Sequence, residues 1–252
     1  MLRIRQLTVA YGGPPILENV DLDVGAGQFV SLIGASGSGK TSVLRAVTGL
    51  LDPQNGTVEL DVPPRDVGFL FQDDALLPWR TARDNVALGL RIRGVDRPAA
   101  RRTADEWLGR LGLDGFGDRY PRQLSGGQRK RVALAQVLAL EPRLLLMDEP
   151  FASLDAIVRV RITEELLGWV ERQRLTVLLV THDLEEAISL SDVVYVLSRG
   201  PRAGVQARHA VTIPRPRHVL DSRGAPGFGA LRQRLWDDLG ESSSFAAEEP
   251  LR

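Results

Sequence analysis

The stretch Gly34-Ala35-Ser36-Gly37-Ser38-Gly39-Lys40-Thr41 follows the apolar run 29–33 and precedes the helix-forming residues 42–47. Because its glycines carry no Cβ atoms to hold a phosphate chain away, successive backbone N–H groups can point into one anion-binding hollow. The helix that follows adds the positive end of its dipole. Lys40 can reach the β- and γ-phosphates, and the Thr41 hydroxyl is placed to ligate Mg²⁺. The stretch therefore predicts a nucleotide phosphate-binding loop, with a plain glycine-rich turn as the alternative.

Length and composition limit the class of protein. The chain of 252 residues is long enough for one large domain or for a main domain with an inserted subdomain. Lys+Arg and Asp+Glu are both 32, so no global charge favours nucleic acid or an acidic membrane as a partner. The absence of cysteine excludes disulfides and cysteine-metal sites. With neither a signal-peptide region nor about 18 consecutive apolar residues, the chain is predicted to be soluble and cytoplasmic.

Two kinds of apolar pattern predict the fold. Residues 2–9 and 20–24 alternate apolar with polar side chains, as half-solvated antiparallel strands do, and 56–60 is a further candidate for this portion. Other apolar runs do not alternate and are typical of strands buried on both faces, and these runs are 29–33, 67–71, 144–147, 176–180 and 193–197. The sequence thus predicts an α/β fold with a mostly parallel core sheet and an antiparallel β portion.

The remaining segments predict the domain organisation. From about residue 76 to 140 the pattern is helical and arginine-rich, with Trp107, Leu108 and Leu111 on one helix face, which indicates an inserted helical subdomain. A helix is expected from Ser125 through Leu140. An edge strand between 200 and 213 and an amphipathic helix at 231–239 complete a single domain over 1–240, and 241–252 is predicted to be a disordered tail. Without an internal repeat, the chain is predicted to be one nucleotide-binding unit.

Two carboxylates end the apolar run 144–147. At the carboxyl edge of a parallel sheet, Asp148 and Glu149 would lie beside the phosphate loop. Asp148 is suited to holding Mg²⁺ through a water, and Glu149 to polarising an attacking water. The alternative is a solvated acidic turn.

A second glycine pair occurs in Leu124-Ser125-Gly126-Gly127-Gln128. A capping serine and two glycines at a helix N-terminus again provide N–H donors and a positive dipole end for an anion. A capped helix after a loop is the plain alternative.

With these motifs in this order over residues 2–197, the chain resembles the ATP-binding cassette (ABC) ATPases, a family of P-loop NTPases. The resemblance implies that Tyr11 stacks on adenine, that Gln72 senses Mg²⁺ and the attacking water, and that His182 contacts the γ-phosphate. It also implies that the loop Ser153-Leu154-Asp155 crosses to a partner subunit. Two departures, Ala152-Ser153 and Gln136, remove no catalytic group.

The predicted site can be stated residue by residue. The catalytic residues are Glu149, His182 and Gln72, and the metal ligands are Thr41, Gln72 and Asp148. The residues expected to bind ATP are Tyr11, Gly34, Ala35, Ser36, Gly37, Ser38, Gly39, Lys40, Thr41, Ser42, Ser125, Gly126, Gly127, Gln128 and Asp155. The cofactors implied are ATP and Mg²⁺.

The resemblance also implies partners. In this family two copies pack head to tail, so that the phosphate loop of one and the Ser125 helix of the other enclose each ATP. The segments 77–81, 85–86, 120–121 and 214–217 are similar to the nitrate, sulfonate and taurine importers. This similarity predicts transmembrane permease subunits, an extracytoplasmic solute-binding protein, a position on the inner face of the cell membrane, and no nucleic acid.

The sequence leaves alternatives to this assignment. Leu76, Leu77 and Trp79 are either a partly exposed contact patch for the permease or packing within the helical subdomain. An exporter ATPase and a soluble, non-transport ABC protein are alternatives to the importer. A P-loop kinase is disfavoured by the Ser125 segment together with Glu149 and His182.

Overall fold

A computed structural model describes residues 1–152 and 154–241. The strands are β1 (Leu2–Val9), β2 (Leu17–Val24), β3 (Phe29–Ile33), β4 (Asn55–Leu60), β5 (Val67–Leu70), β6 (Leu144–Asp148), β7 (Thr176–Val180), β8 (Val193–Leu197) and β9 (Val205–Ala210). The helices are α1 (Lys40–Val47), α2 (Ala82–Ile92), α3 (Arg97–Arg110), α4 (Gly126–Leu138), α5 (Ala156–Gln173), α6 (Leu184–Leu190), α7 (Val219–Ser222) and α8 (Phe228–Glu241). The predicted tail lies outside the described residues except for Glu241, which ends α8.

The core is a six-stranded sheet in the order β5-β6-β7-β3-β8-β9. Every neighbouring pair is parallel except β8 with β9. All residues of β3, β6, β7 and β8 are buried, as expected for parallel strands covered on both faces. The predicted mostly parallel sheet is therefore confirmed, and the strand that precedes the glycine loop lies in its interior.

A second sheet, β2-β1-β4, is antiparallel throughout. The inward-facing residues of β1, such as Leu2, Ile4 and Val9, alternate with exposed ones, as the sequence pattern predicts. They pack in one apolar core with α1 and with one face of the parallel sheet. The helix α1, which follows the glycine loop, is thereby packed against both sheets.

The other face of the parallel sheet is covered by α5 and by the helical segment α2–α4, which share a continuous apolar core. Trp107 of α3 and Trp169 of α5 meet edge to face, with ring centroids 5.6 Å apart. Trp107, Leu108 and Leu111 are all buried, in agreement with the predicted helix face. The helix α4 ends at Leu138 rather than Leu140, because the chain tightens into a turn in which Glu141 adopts a φ of 48° before Pro142.

The C-terminal arginines have a structural role. Asp192 accepts hydrogen bonds from Arg215 (Nη2–Oδ2 2.5 Å), Arg217 (Nη1–Oδ1 3.0 Å) and the backbone N–H of Phe29 (2.9 Å). The edge strand β9 is shorter than the predicted 200–213, and Val211 and Ile213, beyond its end, pack in the apolar core with α8. The helix α8 is longer than the predicted 231–239, since it runs from Phe228 to Glu241.

In the part of the chain that the structure describes, no helix combines the length and apolar character needed to cross a membrane.

Candidate nucleotide-binding site

The glycine loop is shaped by both backbone conformation and packing. Gly37 and Gly39 have φ values of 80° and 89°, a region that side-chain-bearing residues rarely adopt. A Cβ atom at Gly34 would lie 2.8 Å from Ser38 Oγ, whereas one at Gly37 would meet nothing within 4 Å. Gly34 is therefore required for packing, and Gly37 leaves the backbone open to a ligand.

Lys40 is the first residue of α1 and is buried within the loop. Its Nζ donates to the carbonyl oxygens of Gly34 at 2.8 Å and Ala35 at 3.0 Å. Burial lowers the pKa of Lys40, while the charges of Glu149 and Asp148 oppose that shift. A lysine ammonium and two carboxylates therefore share the carboxyl edge of the parallel sheet, as the sequence predicts.

Tyr11 lies beside this loop. Its hydroxyl and Ser42 Oγ are 3.1 Å apart, and about half of the side chain is exposed. A cleft next to the loop is lined in part by Ile16, Ala35 and Arg199. Sequence reasoning missed Ile16 and Arg199. The position of Arg199 just after a parallel strand was the available signal, because ligands of open α/β sheets bind at that edge.

Asp148 and Thr41 can hold a metal ion. Asp148 is buried at the end of β6, and its Oδ1 has no hydrogen-bond partner among the described residues. Burial raises the pKa of this carboxyl, with Glu149 adding to the shift and a hydrogen bond from Thr41 opposing it. An unpartnered carboxylate oxygen beside a hydroxyl fits Mg²⁺, which prefers one or two protein oxygens together with phosphates and water. No cluster of three or more His, Asp or Glu side chains suited to a metal occurs within 1–152 and 154–241.

Glu149 and His182 are brought together. Glu149 Oε1 lies 3.2 Å from His182 Nδ1. Glu149 adopts a φ of 45°, unusual for a residue with a side chain, and its N–H donates to Val180 O at 2.9 Å. Such backbone strain is common at functional sites. A carboxylate that can accept a proton and an imidazole therefore face the same edge as Lys40.

The other predicted residues lie apart from this group. Gln72 is exposed in the loop after β5, at the edge of the sheet, and its side chain makes no hydrogen bond with Glu149 or His182 in the described structure. Asp155 begins α5 as its N-cap, where its Oδ1 accepts from Val158 N at 3.0 Å. Ser153 lies outside the described residues.

The Ser125 segment forms a capping box at the start of α4. Ser125 Oγ accepts from Gln128 N at 3.2 Å, and Gln128 Oε1 accepts from Ser125 N at 2.9 Å. Gly126 and Gly127 follow in the first turn and are partly exposed. The helix N-terminus with its donors is present, as predicted. None of the hydrogen bonds within the described ranges connects this segment to the glycine loop.

A charged cluster of Arg159, Asp183 and Glu186 lies next to His182 in the structure and was not predicted from the sequence. Arg159 pairs with Asp183 at 3.5 Å and also donates to Leu154 O at 3.2 Å. Asp183 Oδ1 caps α6 by accepting from the N–H groups of Glu185 and Glu186. Burial raises the pKa of Glu186 to about 7, against a hydrogen bond from Thr181 that lowers it. These contacts link the loop before α5 to the segment that carries His182, and no local sequence signal indicates them.

The glycine loop with its lysine, followed by acidic residues at the end of β6, defines a nucleoside-triphosphate site of the P-loop class. The sequence profile of the ABC transporter family matches residues 17–152. The chain belongs to the ABC transporter family and is an ATPase.

Relatives of the whole chain are similar in length. The chain is 45% identical over 238 residues to the aliphatic sulfonates import ATP-binding protein SsuB 1 of Paracoccus denitrificans (strain Pd 1222), covering 94% of this chain and 93% of the relative. It is 44% identical over 242 residues to SsuB 2 of Rhodococcus jostii (strain RHA1), covering 95% and 93%. Among solved structures, the ATP-binding cassette MJ0796, a dimer in a post-hydrolysis state bound to ADP and Pi, aligns with a TM-score of 0.77 and 32% identity over 85% of this chain and 100% of that one.

Proposed function

We propose that this chain is the ATP-hydrolysing subunit of an importer for aliphatic sulfonates or a similar small solute such as nitrate or taurine. Two observations together carry the proposal. Lys40, Asp148 and Glu149 lie at one edge of the parallel sheet, and the chain is similar over its whole length to a protein named for sulfonate import. Membership of the family establishes the ATPase activity. The transported solute and the partner subunits are what we propose.

In the proposed reaction Lys40 binds the β- and γ-phosphates, and Glu149 accepts a proton from the water that attacks the γ-phosphate. His182, 3.2 Å from the Glu149 carboxylate, orients it and contacts the γ-phosphate. Mg²⁺ would be held by Thr41 and Asp148, with Gln72 as the third proposed ligand, and would neutralise charge on the phosphate oxygens. The strained backbone at Glu149 and its N–H bond to Val180 support the role of Glu149, since they fix the main chain that carries the carboxylate.

A second copy is proposed to complete each site. The helix α4 packs over β5, where a Cβ atom at Gly68 would lie 2.7 Å from Val137. Three strand spacings separate β5 from β3, about 14 Å in total. The Ser125 segment makes no hydrogen bond to its own glycine loop within the described residues, and we propose that its donors bind the ATP of a partner packed head to tail. The dimeric state of the cassette MJ0796 supports this arrangement.

The permease is proposed to dock at Trp79. This side chain is 70% exposed and borders a groove lined also by Tyr120 and several arginines, including Arg91 and Arg97. The loop that carries Trp79 is fixed by the buried Asn85, which accepts from Leu77 N at 2.7 Å and donates to the carbonyl oxygens of three loop residues, Leu77, Arg80 and Thr81. Leu76 packs against the helical core, which is the internal-packing alternative for that residue, so the proposed patch does not include it.

Trp79→Ala is expected to weaken association with the permease by about 2–4 kcal/mol, because an exposed tryptophan at a groove is the residue type that carries most binding energy. Basal hydrolysis by the isolated subunit is expected to be unchanged. Co-purification with the permease subunit measures the first quantity and phosphate release the second. Trp236→Ala is the matched control, since Trp236 is 66% exposed on α8. Equal loss in both variants, or loss in neither, would contradict docking at Trp79.

The importer itself is tested by reconstitution with a sulfonate-importer permease and its solute-binding protein. ATP hydrolysis is followed while alkanesulfonates, taurine or nitrate are added with the binding protein. Stimulation by one solute, absent without the binding protein, is the expected result. Hydrolysis that depends on Glu149 but responds to no solute would contradict the importer and favour an exporter or a soluble ABC protein.

A further inference from the structure

Two consecutive residues of α4 hold the loop that carries Gln72. Lys130 Nζ donates to the carbonyl oxygens of Phe71 at 2.9 Å and Gln72 at 2.8 Å. Arg129 Nε donates to Asp74 Oδ2 at 3.1 Å. The loop after β5 is thereby attached to α4 through its main chain and through one ion pair.

Lys130 is a buried cation in a chain that otherwise uses arginine almost throughout. It is 3% exposed and is one of only two lysines in a chain with 30 arginines. A buried ammonium is costly unless it is paired and hydrogen-bonded, and here two carbonyl oxygens satisfy it. Burial lowers the pKa of Lys130, while the nearby Asp74, Asp73 and Asp148 favour its charged form. An ammonium has three donors, and the two carbonyl groups accept from this one.

The same helix begins at the predicted ATP contact with the partner. Lys130 lies five residues after Ser125, about 7.5 Å along the helix axis. Val137, seven residues further on, lies on the same face and packs against β5 at Gly68. One face of α4 is therefore joined to β5 and to the loop beyond it. The Ser125 end cannot shift without moving the Gln72 main chain or breaking these contacts.

We propose that Lys130 is a positioning residue that couples the two ATP sites, setting Gln72 of its own site according to the contact that Ser125 makes with the partner's nucleotide. The inference rests on the proposed dimer and on the proposed role of Gln72. The proposed connection between the two ATP sites consists of the two hydrogen bonds that Lys130 donates to Phe71 O and Gln72 O.

Lys130→Met keeps an unbranched side chain and removes the donors. We expect kcat to fall about ten- to a hundredfold, because a displacement of about 1 Å in a positioning group has that effect. The Hill coefficient for ATP should fall toward 1, while ATP affinity stays within about twofold of the wild type. In the nucleotide-free protein, amide hydrogen exchange of residues 72–75 should be faster. Arg102→Met, which removes an exposed cation from α3 of the same helical segment, should change none of these quantities.

Lys130→Arg retains a donor and is expected to recover part of the Hill coefficient. If Lys130→Met does not fold, Asp74→Asn weakens the partly exposed pair with Arg129 and should lower the Hill coefficient in the same direction. A wild-type kcat and Hill coefficient in folded Lys130→Met, with Gln72→Ala impaired, would overturn the coupling alone. Normal hydrolysis by Gln72→Ala would overturn the proposed role of Gln72 and the coupling with it.

Discussion

Glu149→Gln is expected to lower the rate of ATP hydrolysis by about 10²–10⁴-fold while ATP still binds. Glutamine has the shape of glutamate and can keep a hydrogen bond to His182, but it cannot accept a proton from the attacking water. The contacts of Lys40 with the phosphates do not depend on that carboxylate. ATP should therefore accumulate between two copies and hold them together, since a ligand that binds only the closed dimer stabilises it by mass action.

Phosphate release measures the rate, and size-exclusion chromatography with and without ATP measures the dimer. Glu141→Gln is a matched control, because Glu141 also has a positive φ, 48°, but lies after α4 on the surface. This control separates the carboxylate chemistry from the backbone strain that the two positions share. Normal turnover in Glu149→Gln would refute the assignment of Glu149 as the base, and slow turnover without an ATP-dependent dimer would refute the closed intermediate.

Lys40→Ala is expected to reduce ATP affinity by about a hundredfold or more, close to 3 kcal/mol. The buried ammonium donates to two carbonyl oxygens of the glycine loop. Its loss would remove the proposed charge-assisted hydrogen bonds to the phosphates. Equilibrium binding of ATP measures the effect directly.

The second lysine of the chain provides the comparison for this variant. Lys130→Met removes a buried ammonium of similar depth that has no proposed phosphate contact, so it should bind ATP normally. Circular dichroism and thermal unfolding check that both variants are folded. Tight ATP binding by Lys40→Ala would contradict the phosphate-loop assignment.

Much of the fold could be predicted because its strands are dense apolar runs. The predicted runs 29–33, 144–147, 176–180 and 193–197 differ from the observed strands β3, β6, β7 and β8 by at most one residue. Element ends were less predictable. The end of α4 depends on the turn at Glu141, and the length of β9 depends on packing against α8, neither of which is local.

The candidate site was predictable where its chemistry lies in a short motif. The glycine loop, the carboxylates after β6 and the cap at Ser125 are each contained in a few residues. The contacts of Lys130 with the Gln72 loop span 58 and 59 residues of chain, and those of Asp192 with Arg215 and Arg217 span 23 and 25. Their partners are set by tertiary packing, which no spacing rule reveals. The roles assigned to the site residues, including Lys40, Glu149, His182 and Gln72, stay predictions.

The junction at Asp192 limits how this protein can be recombined with its relatives. One carboxylate binds the backbone of β3, the strand that delivers the glycine loop, and two arginines of the C-terminal extension. Consider a chimera in which residues beyond β9 are replaced by those of a relative without matching arginines. The Asp192 carboxylate would then lose its cationic partners while still bound to the first residue of β3. The extension and the nucleotide-binding core therefore have to be exchanged as one unit.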